Sequence, residues 1–231
     1  MVSVTWGFDT APFQSLIFDF DVLTEPDNND GLYLQFYEGY INGVLSYFGI
    51  QTDIIQPGHG FVGKGFLFSR WKTRDLSNAR PNSGGWTESS GHEDDFIGIR
   101  CRYNWTTHRY RLTIRYSESD DIGDWYCVML EDLKDGTNEF MGSLRYPKVN
   151  SEITGIADGG TTWIELYSPR NEKMANWHIR INNAYANEEN APKKITSDWS
   201  ENVVYINRDK AVHLIQSDIG KKVPVRRIPV D

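Results

Sequence analysis

A segment rich in Ser, Asn and Gly, between about residues 72 and 95, carries the residues best suited to bind a ligand. It contains Trp86, a tryptophan in polar surroundings that is hard to explain as part of a core. An exposed indole stacks on the apolar face of a pyranose ring, and nearby carboxylates accept hydrogen bonds from sugar hydroxyls. We therefore predict a glycan-binding site. The alternative is that Trp86 folds back as a lid on a sheet and the acidic residues are solvated. The predicted binding residues are Gln51, Arg70, Trp71, Trp86, Glu88, His92 and Glu93.

Acidic clusters suggest a possible structural calcium ion as the one candidate cofactor. Ca²⁺ takes six to eight oxygen ligands, and none of the clusters has the ligand spacing of an EF-hand loop. No pair of histidines has the spacing of a zinc site, so no metal ligand is assigned. The clusters are His92 to Asp95, Asp27 with Asn29 and Asp30, and Glu118 with Asp120, Asp121 and Asp124.

Arginines are concentrated in two adjacent predicted strands. Arg100 and Arg102 share one face of the first strand, and Arg109, Arg111 and Arg115 share one face of the second. The short connection between them predicts a hairpin in which five guanidinium groups meet, and like charges directly opposite each other are destabilising. Either carboxylates neutralise them, with Glu131, Asp132, Asp19 and Asp21 as candidates, or an anionic glycan does so through bidentate contacts.

Signals for catalysis are weaker. Asp19 and Asp21, at i and i+2 of a strand, have the spacing of a glycosidase carboxylate pair, and Glu88 with Glu93 has it if the loop folds back. Polysaccharide lyases on similar folds use Arg, Gln, His and Tyr, and this chain contains a set of that kind. Neither a Gly-x-Ser-x-Gly elbow nor a phosphate-binding loop occurs. The lyase-like set is Gln51, Arg70, His92 and Tyr103.

The elements that must position these residues are β-strands. Apolar and polar residues alternate in at least five segments, as in Leu16, Phe18, Phe20 and Val22, and this alternation is typical of half-buried strands. Turn sequences such as Asn42-Gly43 separate the segments. About twelve short strands predict an all-β, antiparallel two-sheet sandwich of the jelly-roll or concanavalin-like type. We expect a single domain over residues 1–231, with a possible extended tail at 221–231.

Composition excludes several classes of protein. The 231 residues carry a net charge of -8, which argues against a nucleic-acid partner. No stretch reaches the roughly 18 apolar residues of a membrane span. The first nine residues lack the basic and apolar regions of a signal peptide. The sequence therefore predicts either a cytoplasmic protein, or a secreted or cell-surface protein whose signal peptide was removed.

Two cysteines, Cys101 and Cys127, fall in predicted strands with one other strand between them. In a meander they lie about 10 Å apart, because neighbouring strands are separated by 4.7–4.9 Å. A disulfide requires Cα atoms within about 7 Å. We predict two free, buried thiols.

Four short motifs stand out in the first two thirds of the chain. They are the runs 47–53 and 65–71, Tyr103-Asn104-Trp105, and Tyr110-Arg111-Leu112. Together they resemble an uncharacterised domain family of secreted and cell-surface proteins that often occurs beside carbohydrate-related modules. The resemblance spans roughly residues 15 to 150. It implies a concanavalin-like sandwich and an association with glycans, and it supplies no catalytic residues.

Taken together, the residues and the resemblance predict a lectin-like module that binds a polysaccharide or glycoconjugate without cleaving it. Two alternatives remain open. One is a glycoside hydrolase or polysaccharide lyase on the same scaffold, which a carboxylate pair in a cleft of the sheet would favour. The other is a protein–protein interaction domain, which an exposed apolar patch without a cleft would favour.

Overall fold

The structure is a computed structural model. It describes residues 2–9, 11–26, 29–91, 94–149, 154–168, 170–172, 175–188, 190–196, 203–206 and 211–216. Residues 217–231 lie outside this part of the chain, so the predicted tail at 221–231 stays a prediction. No helix in the described residues is long and apolar enough to cross a bilayer.

The described residues form two large antiparallel sheets, here called sheet I and sheet II. Sheet I has eight strands, in the spatial order β16 (Lys194–Thr196), β1 (Val2–Gly7), β14 (Ile156–Ser168), β3 (Gly31–Ile41), β4 (Val44–Gln51), β7 (Gly65–Trp71), β10 (Phe96–Arg102) and β9 (Trp86–Ser90).

Sheet II also has eight strands. Their spatial order is β17 (Val203–Ile206), β18 (Val212–Gln216), β15 (Trp177–Ala186), β2 (Ser15–Thr24), β11 (Arg109–Ser119), β12 (Gly123–Asp132), β13 (Thr137–Pro147) and β8 (Ala79–Pro81). A small separate hairpin joins β5 (Ile55–Gln56) to β6 (Gly60–Phe61). The predicted all-β, two-sheet antiparallel sandwich is confirmed.

One hydrophobic core fills the space between the sheets. The alternation seen in the sequence selects the residues that enter it: Phe18 and Phe20 of β2 are fully buried and touch Phe36 of β3, with ring centroids 5.9 and 4.4 Å apart. Each such aromatic side chain buries 150–250 Å². The outward residues of the same strands are left to build the two outer faces of the sandwich.

The predicted arginine hairpin is wrong. β10 belongs to sheet I and β11 to sheet II, so the connection between them crosses from one sheet to the other. Trp105, in this connection, is fully buried and stacks on Trp177 at 5.3 Å between centroids. Alternation sets which face a residue occupies but not which strand it pairs with, and the five arginines are divided between the two sheets.

Both cysteines are free and buried, as predicted, although the predicted meander does not exist. Cys101 lies in β10 of sheet I, with its sulfur 3.5 Å from the sulfur of Met141. Cys127 lies in β12 of sheet II. Cys101 belongs to the hydrophobic core between the sheets, and Cys127 does not.

The segment between residues 72 and 95 is more regular than its composition indicates. It contains a single 3₁₀ turn, Leu76–Asn78, and two edge strands. β8 pairs with β13 at one edge of sheet II, and β9 pairs with β10 at one edge of sheet I. The segment therefore bridges the two sheets and places Trp86 and Glu88 on a strand.

Candidate functional site

The outer face of sheet I carries an open cleft of about 650 Å³. Strands β14, β3, β4, β7 and β10 form its floor, with β9 at one edge and the β5–β6 hairpin at one end. Its lining residues are Tyr33, Gln35, Glu38, Tyr47, Gln51, Ile55, Leu67, Trp71, Ser90, Phe96, Arg100, Trp163, Glu165 and Tyr167. A cleft of this size and of mixed aromatic and polar lining is typical of small-ligand sites.

A row of four aromatic rings crosses the floor. Tyr33, Tyr47, Trp71 and Phe96 come from β3, β4, β7 and β10, which are adjacent strands. Successive ring centroids are 5.8, 4.8 and 6.3 Å apart. Because strands lie 4.7–4.9 Å apart, the row runs about 14 Å across the sheet. The rings are tilted against one another by 43° to 62°, and Tyr33 is buried, so the partly exposed rings of the row are Tyr47, Trp71 and Phe96.

Glu38 enters the cleft because of a β-bulge. The pairing of β3 with β4 passes from Gln35 opposite Gly49 to Tyr37 opposite Phe48, so β3 has one extra residue there. Phe36 and Tyr37 both turn into the core, and Gln35 and Glu38 both turn outward. Bulges re-aim side chains in this way and are over-represented beside active sites.

The carboxyl of Glu38 has a raised pKa. Burial is the largest cause, and the neighbouring charge of Glu165 adds to it, while a hydrogen bond from Gln35 Nε2 to Glu38 Oε2 (3.3 Å) acts in the opposite direction. Glu38 forms no ion pair with any residue that the structure describes. The cleft thus holds two electrostatically coupled carboxyl groups.

Arg100 is held rigidly at the β9 side of the cleft. Its Nε donates to Glu88 Oε1 at 2.8 Å, and its Nη1 donates to Gln51 Oε1 at 2.7 Å. The ion pair with Glu88 is mostly buried, with side-chain exposures of 15% and 23%. A charge-assisted bond of this kind fixes the guanidinium and neutralises it locally.

The floor contains buried donors without hydrogen-bond partners among the described residues. These donors are the hydroxyl of Tyr33 and the indole N–H group of Trp163. The backbone approaches closely beneath Tyr33: a Cβ on Gly49 would stand 2.0 Å from the carbonyl oxygen of Leu34 and 2.8 Å from the Tyr33 ring. Buried donors without partners are rare in proteins and offer sites for ligand oxygens.

Some of the predicted binding residues lie in or beside this cleft. Gln51 and Trp71 line it. Glu88 contacts it through Arg100, and Trp86 is the cross-strand partner of Arg100, on the same face of the sheet. His92 and Glu93 lie outside the described residues.

Arg70 does not share the cleft. It alternates with Trp71 and points into the interior, where its Nη1 donates to the backbone carbonyl of Arg145. It lies over the ring of Tyr146, 5.2 Å from the centroid. The lyase-like set is not assembled on one face either, because Tyr103 packs against the core with its ring beside Tyr110.

Sequence reasoning missed the cleft residues contributed by β3 and β14. They are Tyr33, Gln35, Glu38, Trp163, Glu165 and Tyr167. They occupy the outward positions of alternating strands, which are normally solvent-facing. The available signal was the aromatic content of those positions, since Tyr and Trp recur where Ser, Thr or Lys are usual.

Two other arginines of the predicted hairpin, Arg109 and Arg111, pair with carboxylates on the outer face of sheet II. Arg111 donates to both oxygens of Asp19, at 2.7 and 2.9 Å. Arg109 and Arg180 bind the two oxygens of Asp21, which also accepts from Asn182 at 3.0 Å. We call these residues the ion-pair ladder. Two of the predicted neutralising carboxylates, Asp19 and Asp21, therefore have this role.

In two of the proposed calcium clusters, one carboxylate already accepts hydrogen bonds from protein donors. Asp30 Oδ1 accepts from the backbone N–H groups of Arg170 and Asn171. Asp120 accepts from two backbone N–H groups, from Trp125 Nε1 and from Arg145. Asp27, His92 and Glu93 lie outside the described residues, so the calcium ion stays a prediction.

A further group, His108 with Asp132 and Asp135, has ligand atoms within 4.8 Å of one another. Its geometry is that of a capped turn. Asp132 Oδ1 accepts from the backbone N–H groups of Lys134 and Asp135, and Lys134 Nζ lies 2.9 Å from His108 Nε2. An ammonium group in that position competes with a metal ion.

Comparisons with known proteins add little to the geometry. No family model matches the chain, and no match is found among curated proteins. The resemblance to a carbohydrate-associated family therefore stays a prediction. Among solved structures, the chain is similar to scytalido-glutamic peptidase bound to a transition state analog inhibitor, with 10% identity, a TM-score of 0.46, and coverage of 94% of this chain and 96% of that one.

Proposed function

We propose that the chain binds a glycan in the cleft on sheet I. The observation that carries the proposal is the set of three partly exposed aromatic rings in the row, Tyr47, Trp71 and Phe96. Aromatic faces stack on the C–H faces of sugar rings, and an extended row suits a linear oligosaccharide better than a single compact ligand. Gln35, Gln51 and the carboxyl groups border this row and supply hydrogen bonds to hydroxyl groups.

The test is a binding screen against soluble polysaccharides by affinity electrophoresis, followed by calorimetry on each hit. Trp71→Ala removes the middle one of the three partly exposed rings, Tyr47, Trp71 and Phe96. The change is expected to weaken binding about tenfold or more, because a lost stacking contact costs about 1.5 kcal/mol. Phe140→Ala is the control, since Phe140 is an exposed ring on β13 of sheet II and does not line the cleft. If the two variants bind the polysaccharide with equal affinity, the cleft is not the glycan-binding site.

A second candidate function, hydrolysis of the bound glycan, is favoured by one observation. A general acid must hold a proton near the working pH, and Glu38 has a raised pKa beside a second carboxyl, Glu165. In such a reaction the Glu38 proton passes to the glycosidic oxygen as the C–O bond breaks. Glu165 accepts a proton from the water that attacks the anomeric carbon.

The two candidates differ in their products. Incubation of each binding polysaccharide with the protein, followed by measurement of new reducing ends, separates them. If the chain is a hydrolase, Glu38→Gln abolishes product formation and leaves binding intact. If it is a binding module, no new reducing ends form with the wild-type protein.

A further inference from the structure

One end of the cleft on sheet I is bounded by a segment from outside the sheet. Among the described lining residues, Ile55 is the one that does not belong to a strand of sheet I. It lies on β5 of the small β5–β6 hairpin, opposite Phe61. This hairpin connects β4 to β7, so it lies at the end of the cleft where β4 ends and β7 begins. We call residues 55–61 the hairpin wall.

The hairpin wall and its base are bonded to both sides of the cleft. On the β10 side, Arg102 Nη2 donates to Gln56 Oε1 at 3.2 Å. On the β14 side, the hydroxyl of Tyr167 donates to the backbone carbonyl of Asp53. Arg170, just beyond β14, donates through Nη1 to Asp53 Oδ2 at 2.5 Å. Because these contacts reach from β10 to β14, the hairpin wall extends across the width of the cleft.

The base of the hairpin is anchored in the fold. Ile54 is fully buried, and its backbone pairs with Val62 (N···O 2.9 Å) and Gly63 (2.8 Å). The backbone N–H of Gly63 also donates to Asp53 Oδ1 at 2.6 Å. The hairpin wall is therefore part of the folded sandwich, and its position does not depend on a ligand.

The cleft becomes deeper toward the hairpin wall. Tyr33, Gln51 and Leu67, which line this end, are 4%, 5% and 2% exposed. Trp71 and Phe96, at the opposite end, are partly exposed. The two ends are about 20 Å apart, because β7 has seven residues and a strand rises about 3.3 Å per residue. A ligand chain thus finds its most enclosed contacts beside the hairpin wall.

A linear polymer that lies along the strands cannot continue past the hairpin wall. We propose that the cleft binds the end of a linear glycan chain and not an internal segment. This inference rests on the proposed glycan binding and names the part of the glycan that is recognised. The chain passes over the partly exposed rings, and its terminal sugar lies beside Gln51, Arg100 and Ile55. A terminal sugar carries a free hydroxyl group that internal sugars lack, and the polar side chains at this end bind it.

The test is the stoichiometry of binding, measured by calorimetry. The probes are cello-, xylo- and laminari-oligosaccharides of increasing length, followed by mixed-linkage β-glucan, xylan and laminarin. If chain ends are bound, the number of protein molecules bound per chain stays constant as the chains grow longer. If that number rises in proportion to chain length, the cleft binds internal segments and the inference fails.

Removing side chains of the hairpin wall should change this stoichiometry. Ile55→Ala/Gln56→Ala removes the apolar side chain that lines the cleft and the bond to β10. Several molecules of this variant should bind each long chain. Ile122→Ala is the control, because Ile122 is an exposed residue in the turn between β11 and β12 of sheet II. The control should bind as the wild-type protein does.

A second variant removes the whole hairpin wall. Gly-Ser-Gly replaces residues 55–61, and the anchoring residues Ile54 and Val62 are kept. We expect this variant to bind along the length of the polymers. If both variants still bind a constant number per chain, the hairpin wall does not restrict binding to chain ends and the inference fails.

The outcomes separate the inference from the function on which it rests. Binding that scales with chain length and is weakened by Trp71→Ala overturns the recognition of chain ends and leaves glycan binding intact. If no probe binds, or if Trp71→Ala weakens the binding of none of them, the proposed function fails as well.

Discussion

The two outer faces of the sandwich use charge in opposite ways. On sheet II, buried Asp21 accepts hydrogen bonds from Arg109, Arg180 and Asn182. Burial alone raises its pKa, but these bonds outweigh burial and hold the pKa below its usual value. On sheet I, Glu38 receives one long bond from an amide, and its pKa is raised. The buried Asp21 carboxylate is thus stabilised by its partners, whereas Glu38 is kept at a cost to stability, as is common for carboxyl groups in binding sites.

Asp21→Asn should have the largest effect on stability. The change leaves Arg109 and Arg180 without their carboxylate and removes several charge-assisted hydrogen bonds, each worth about 1.5–3 kcal/mol when fully buried. The arginines are partly exposed, with side-chain exposures of 54% and 33%. We therefore expect a loss of about 2–3 kcal/mol in the free energy of unfolding, measured by urea denaturation. A change below about 0.5 kcal/mol would show that the ladder is not stabilising.

The pH dependence of the free energy of unfolding should show whether this stabilisation comes from the Asp21 carboxylate. The pKa of Asp21 is lower in the folded protein than its value of about 3.8 in the unfolded chain. Its ion pairs therefore contribute fully to the free energy of unfolding above pH 3.8, and this contribution is lost as the pH falls through the folded pKa. The wild-type protein should lose stability at acid pH more steeply than Asp21→Asn. Parallel curves of unfolding free energy against pH for the two proteins would contradict the assignment.

Glu38→Gln should have a smaller effect of the opposite sign. The pKa of Glu38 is higher in the folded protein than in the unfolded chain. The protein is therefore most stable below the unfolded pKa of Glu38, and it loses stability as the pH rises through the folded pKa. At neutral pH the neutral amide should stabilise the protein by up to about 1 kcal/mol. Thermal melts at neutral and acid pH test this: the gain should vanish at acid pH, where wild-type Glu38 is protonated. If Glu38→Gln is less stable than the wild-type protein at neutral pH, the Glu38 carboxylate stabilises the folded state.

Among these predictions, added salt should change the free energy of unfolding least. Raising the ionic strength screens exposed charges, and the guanidinium groups of Arg109 and Arg111 are about half exposed. We expect a loss of less than about 1 kcal/mol between low and high sodium chloride. The loss should be smaller still in Asp21→Asn, because part of the ladder is already absent. An equal loss in both proteins would place the salt-sensitive interactions elsewhere.

The sequence predicted the fold better than the site. Alternation placed Leu16, Phe18, Phe20 and Val22 in the core, where all four are buried. It also placed Asp19 and Asp21 outward, beside arginines. It did not predict that β10 and β11 enter different sheets, because pairing depends on long-range packing such as the stacking of Trp105 on Trp177.

The cleft was harder to predict for two physical reasons. Glu38 faces outward only because of a bulge, which shifts the alternation by one residue and leaves no mark in the composition of β3. Glu165 and Trp163 belong to β14, which is more than 100 residues from β3 in the chain, so only the folded sheet brings them beside Gln35. By contrast, Trp71 and Gln51 were found because their residue types alone suggested binding.

The strand order also governs when the chain can fold during synthesis. β1, the first of the described strands in chain order, pairs with β14 and β16, and β14 is the strand that joins it to β3. β2 needs β11 on one side and β15 on the other. At a synthesis rate of about 5–20 residues per second, these strands therefore remain without their pairing partners for many seconds. A nascent chain arrested before β14 should consequently be captured by chaperones that recognise exposed apolar strands.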